Sequence, residues 1–108
     1  SNAIAHEMTP TYPKWGSSYI AGVKKTTMEM FNRRKDVEYY EIGVFDKEWK
    51  PVPFVTSYKI INLKYLSNVK FDVYMNAKHA PRAEYICSIS KLRGDNVMIA
   101  SKICSRFK

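Results

Sequence analysis

Phe71, Val73 and Met75 alternate with Lys70, Asp72 and Tyr74, the period-two pattern of a strand with one face buried and the other in water. Comparable runs, rich in β-branched and aromatic residues, occupy 26–31, 37–45, 52–56, 58–63, 69–75, 83–90 and 97–104. They predict seven short strands. Turn-forming clusters separate them, among them Asp46-Lys47-Glu48, Leu66-Ser67-Asn68, Lys78-His79-Ala80-Pro81 and Arg93-Gly94-Asp95-Asn96. With no heptad, internal repeat or low-complexity tract, the expectation is an all-β, two-layer sandwich. Pro51 and Pro53 lack backbone donors, which places the 52–56 run on an edge. Residues 4–17, with Pro10, Pro13 and Gly16, carry no sustained period and read as an extended arm. Residues 18–25 fit either a short helix or an irregular entry to the first strand.

The last two runs flank a turn cluster able to adopt positive φ, so they predict a hairpin. If the turn is centred between Asp95 and Asn96, partners have numbers that sum to 191: Leu92 with Ile99, Ser90 with Ser101, Cys87 with Cys104. The only two cysteines then stand opposite one another, about 4.5–5.5 Å apart at Cβ, close enough for a disulfide. The bridge would imply an oxidising compartment and contribute about 3 kcal/mol. Two reduced cysteines packed as small hydrophobes is the alternative; a metal site with the distant His6 or His79 is weaker still. Tyr85, two residues before Cys87 and just after a turn, has the placement of a tyrosine corner, and either that role or ordinary packing puts it inside.

One domain is expected from 108 residues. Ser1-Asn2-Ala3 reads as the remnant of a cleaved tag, 4–25 as the arm, and 26–108 as the sandwich; a removed signal peptide would fit upstream. No apolar run approaches the roughly 18 residues of a membrane helix. The net charge of +8 attracts nucleic acid, anionic lipid and acidic proteins alike, so it selects none of them. The cations are scattered, and their one run, Arg33-Arg34-Lys35, reads as a solvated face. His6 in the arm and His79 in a turn belong to no catalytic triad, paired-carboxylate or phosphate-binding motif, so neither enzyme nor cofactor is expected.

Tyr40-Glu-Ile-Gly-Val, Lys50-Pro-Val-Pro-Phe, Ser57-Tyr-Lys-Ile-Ile-Asn-Leu, Val69-Lys-Phe-Asp-Val and Gly94-Asp-Asn-Val-Met-Ile-Ala-Ser-Lys-Ile follow in that order. Together they resemble the N-terminal immunoglobulin-like domain of the PapD-like periplasmic pilus chaperones, over about residues 26–108. That resemblance implies a periplasmic, non-catalytic chaperone-like domain binding a pilin-like subunit, with an outer-membrane usher as a further partner. It implies strand donation by Val97, Ile99 and Ile103, and anchoring of a subunit carboxylate by Lys102, with Arg106 or Arg33 as further candidates. The family's first-strand arginine aligns near Met28, where no cation stands, and its second domain has no counterpart here. Ile99 and Ile103 equally fit the domain's own core. Rival readings are a nucleic-acid-binding β domain using cations among Tyr39, Tyr40, Tyr58 and Tyr74, which is the weaker, or a general interaction module of a surface assembly. A homodimer through an edge strand is a further expectation.

Overall fold

A computed structural model describes residues 6–91 and 101–108. Among them are nine strands: β1 (His6–Thr9), β2 (Gly16–Ser17), β3 (Val23–Asn32), β4 (Tyr39–Phe45), β5 (Val55–Thr56), β6 (Ile60–Asn62), β7 (Asn68–Asn76), β8 (Tyr85–Lys91) and β9 (Lys102–Arg106). A single 3-10 turn, Ala80–Arg82, begins with Pro81 in its first turn. Two antiparallel sheets face each other. One runs β1-β3-β7-β5 with β2 also on β3; the other runs β6-β4-β8-β9. The protein is an all-β, immunoglobulin-like β-sandwich.

Alternation builds the core. Met28 and Met30 of β3 and Phe71, Val73 and Met75 of β7 point inward from the first sheet; Tyr40, Ile42 and Val44 of β4 and Ile86 of β8 meet them from the second. The predicted hairpin register is observed: Cys87 pairs with Cys104 and Tyr85 with Arg106, while the Ser90 N–H donates to the Ser101 carbonyl. Leu92, Ile99 and the cluster 93–96 lie outside the described residues. The 52–56 run forms the edge strand β5, only two residues long.

The stretch read as an arm supplies strands of its own. β1 pairs with β3, His6 opposite Asn32, and β2 pairs with the start of β3. Neither was legible: β1 is four residues long and its inward positions are His6 and Met8, one of them polar. Residues 18–22 make a turn, not a helix. The Ser18 hydroxyl donates to the Ile20 and Val23 carbonyls and accepts from the Ile20 N–H, and Gly22 sits at φ 77°, where the absence of Cβ matters. Beyond Thr9 the chain crosses to the other sheet. The Thr11 and Pro13 carbonyls accept from the Arg106 and Lys108 N–H groups.

Candidate functional site

β9 closes one edge of the four-stranded sheet. In an antiparallel ladder, N–H and C=O groups of successive residues point alternately toward and away from the neighbour. Phe107 donates to the Glu84 carbonyl, so the odd-numbered residues of β9 face β8 and the even-numbered ones face outward. Arg106 and Lys108 spend their outward N–H groups on the crossing segment. Lys102 and Cys104 have no such partner among the described residues. The open edge is therefore short, and it lies at the Lys102 end.

Side chains alternate on the perpendicular axis. Ile103, Ser105 and Phe107 turn inward, and Ile103 packs half-buried against the core. Lys102, Cys104 and Arg106 turn outward. Cys87 and Cys104 form a disulfide with Cα atoms 4.0 Å apart, at a non-hydrogen-bonded position where opposed strands approach most closely. The bridge fastens the edge strand to β8.

The Lys102 ammonium lies 4.5 Å from the centre of the Trp49 ring, which stacks on Tyr85 at 4.1 Å with planes 4° apart. Trp49 holds φ at 64°, an uncommon conformation for a bulky residue. The loop enforces it. The buried Asp46 carboxylate accepts from the N–H groups of Glu48 and Lys50, and its carbonyl accepts from the Trp49 N–H. Tyr85 thus lies on the outer face, half-buried, and not inside as expected. Ile86 takes the inward position beside it, and among the described residues the Tyr85 hydroxyl makes no bond to upstream backbone. Nothing in the sequence singled out Trp49; its signal was the turn cluster that precedes it.

The candidate carboxylate anchors are separated. Arg106 pairs with Glu84 at 2.8 Å on the outer face of the β9 sheet. Arg33 pairs with Glu7 at 3.3 Å and lies over Phe31, on the outer face of the other sheet. Among the described residues only Lys102 of the three lacks a carboxylate partner. Val97 and Ile99 fall outside the described residues. The run Arg33-Arg34-Lys35 lies at the surface just after β3, with Arg33 and Lys35 exposed as expected, and each of the three makes a surface contact. Arg34 makes a two-pronged contact with Asp36 at 2.9 and 2.6 Å, which holds the Asp36 carboxyl below its ordinary value, and Lys35 lies over Tyr65. The tyrosines proposed as a base-stacking surface do not converge. Tyr40 is buried, while Tyr39 and Tyr74 sit at outward positions of opposite sheets.

A buried polar cluster lies behind β9. His6 is fully buried against the Tyr40 ring, with Nε2 2.7 Å from the Ser88 hydroxyl and Nδ1 3.3 Å from that of Ser101. It thereby bridges β1 to β8 and the entry to β9. Burial lowers its pKa, the Ser88 contact works in the opposite direction, and nearby Arg34 adds to the lowering. The unfolded chain then takes up this proton at higher pH than the folded one. Stability should be complete above pH 6.5 and fall as pH drops through the lowered value. Urea midpoints between pH 7.5 and 5 check this, a window above most carboxylate titration. His6→Gln should flatten the slope, and an unchanged slope would place its origin elsewhere. His79, in contrast, lies half-buried in the turn after β7 with Nδ1 3.4 Å from Arg82.

The disulfide thus fastens an edge strand of an immunoglobulin-like sandwich. The structure is similar to that of the periplasmic chaperone SfaE, with TM-score 0.59 and 14% identity over 95% of this chain. The chain spans 56% of the length of SfaE. It is also similar to a FixG-related protein from Vibrio parahaemolyticus, with TM-score 0.56 and 13% identity over 97% of this chain and 96% of that one. No protein-family profile and no curated protein sequence matches it. At these identities the likeness concerns the fold. Among the described residues no helix is long and apolar enough to cross a membrane.

Proposed function

We propose that this protein is a non-catalytic, extracytoplasmic chaperone-like domain that binds a pilin-like or other surface-assembly subunit by strand addition along β9. The reading rests above all on the open backbone of Lys102 and Cys104, flanked by a lysine without a carboxylate partner among the described residues. An extended subunit segment would take up those donors and acceptors, as strand-addition complexes generally do, with its terminal carboxylate against Lys102. The disulfide and the likeness to a periplasmic chaperone support an oxidising location. His6 is enclosed between two hydroxyls and a ring, which supports a structural role for it.

Trp49 provides the readout, because Lys102 lies on its ring. Titration with an extended, alternating apolar heptapeptide bearing a free terminal carboxylate should shift Trp49 emission saturably. Lys102→Glu should weaken binding about tenfold, the worth of one charge-assisted contact of about 1.4 kcal/mol. Equal affinity for both proteins would remove Lys102 from the site. A second reading, a general interaction module of a cell-surface assembly, would use the same open edge without a carboxylate anchor at Lys102. It predicts indifference to amidation of the peptide terminus.

A further inference from the structure

On the side of the sandwich away from β9, β7 is left partly unpaired. It is nine residues long, but β5 covers only Val73 and Tyr74. The Asn32 N–H donates to the Ser67 carbonyl and the Ala77 N–H to the Gly22 carbonyl. Odd-numbered residues of β7 therefore face β3, and even-numbered ones face the free edge. The Asp72 carbonyl is taken by the Thr56 hydroxyl at 2.8 Å. The backbone groups of Asn68 and Lys70 have no partner among the described residues.

A groove of about 460 Å³ runs beside this stretch. Val69 and Phe71 of β7 and Ile61 of β6 line its floor, and Tyr58, 73% exposed, stands at its rim. An unpaired edge beside apolar side chains from both sheets is the geometry of a sheet short of one strand. Charge identifies the occupant. Asp72, the carboxylate lining the groove, is already held by the Thr27 hydroxyl at 2.6 Å and the Lys25 ammonium at 3.8 Å. Glu29, opposite Lys70, accepts from the Asn68 side chain at 2.6 Å. Lys70 lines the groove, Lys59 and Lys64 flank β6, and the whole chain carries +8. A second copy would bring the same charge and be repelled.

We propose that the β7 edge is a second docking surface, distinct from β9, that accepts an extended segment of an acidic partner protein. The segment alternates apolar and acidic residues. Its apolar side chains enter the groove against Val69, Phe71 and Ile61, and its carboxylates run along the outer face toward Lys70.

Backbone amide exchange with an amidated heptapeptide alternating leucine and glutamate tests this. At saturation the amides of Asn68 and Lys70 should slow at least tenfold. Lys70→Glu, an exposed change, should weaken that peptide at least fivefold, and the same peptide with lysine for glutamate should not bind. Protection confined to the Lys102 and Cys104 amides would overturn the proposal, as would equal binding of the lysine peptide. A dimer by sedimentation in which Asn68 and Lys70 are already protected would do so too, making the occupant a second copy. Because the two edges are read by different amides, failure here leaves the β9 reading standing, and the reverse.

Discussion

Asn32→Leu is expected to lower the unfolding free energy by about 3–4 kcal/mol, with a matching fall in the urea midpoint at unchanged slope. Asn32 is fully buried at the end of β3 and saturates its side chain. Its amide donates to the Val37 carbonyl at 2.7 Å and the Leu63 carbonyl at 2.8 Å; its oxygen accepts from the Tyr40 hydroxyl at 2.5 Å and the Arg34 N–H at 2.8 Å. Leucine has nearly the same shape but strands all four partners, and each buried polar group left unpaired costs about 1–3 kcal/mol before relaxation and water entry reduce the sum. Burial also pushes the Tyr40 pKa up to about 12, so its hydroxyl remains a donor at any ordinary pH. Tyr40→Phe removes one bond of the set and should cost about 1–2 kcal/mol. The double variant should lose less than the two singles together, because both remove the same contact. A loss under 1 kcal/mol for Asn32→Leu would mean that water replaces the network.

Removing the disulfide ranks next. Cys87→Ala/Cys104→Ala should cost about 3 kcal/mol in the chain-entropy description of a bridge spanning 17 positions. The loss should be uneven along the chain. Among the described residues the backbone of β9 and its C-terminal end is bonded on one side to β8 and on the other at Arg106 and Lys108, so the Ile103 and Ser105 amides should exchange faster relative to those of β3 and β7. Chemical denaturation with and without reductant, with intact mass to count thiols, checks both parts. An unchanged midpoint on full reduction would contradict them.

Pattern made the central strands legible, because Met28 and Met30, Ile42 and Val44, and Phe71, Val73 and Met75 obey a strict period of two with apolar residues inward. The cysteine register followed from a turn cluster and simple pairing geometry. What stayed hidden shares one physical cause: burial that is polar or aromatic without being periodic. Asn32, His6, Ser88 and Ser90 occupy inward positions that hydropathy assigns to the surface, and hydrogen bonds permit it: His6 with Ser88, Asn32 with Tyr40, and the Ser90 hydroxyl accepting from the Ser101 N–H. Their burial concealed β1 within the supposed arm. Tyr85 misled in the opposite direction, since a large aromatic near a cysteine suggested the interior, yet its partner Trp49 comes from a loop that sequence spacing cannot place. Of the candidate site, the cysteine pairing could be read from the residues, while strand donation by the last run was only what the resemblance implied. The crossing segment that covers Arg106 and Lys108, leaving Lys102 and Cys104 open, required the three-dimensional pairing.

The decisive measurement is amide exchange along β9 in the free protein and with an extended apolar peptide carrying a free terminal carboxylate. Slow exchange is expected at Ile103 and Ser105 in both states, and fast exchange at Lys102 and Cys104 that becomes slow when the peptide binds. Outward amides already protected in the free protein, or still fast at saturating peptide, would contradict a binding edge at β9.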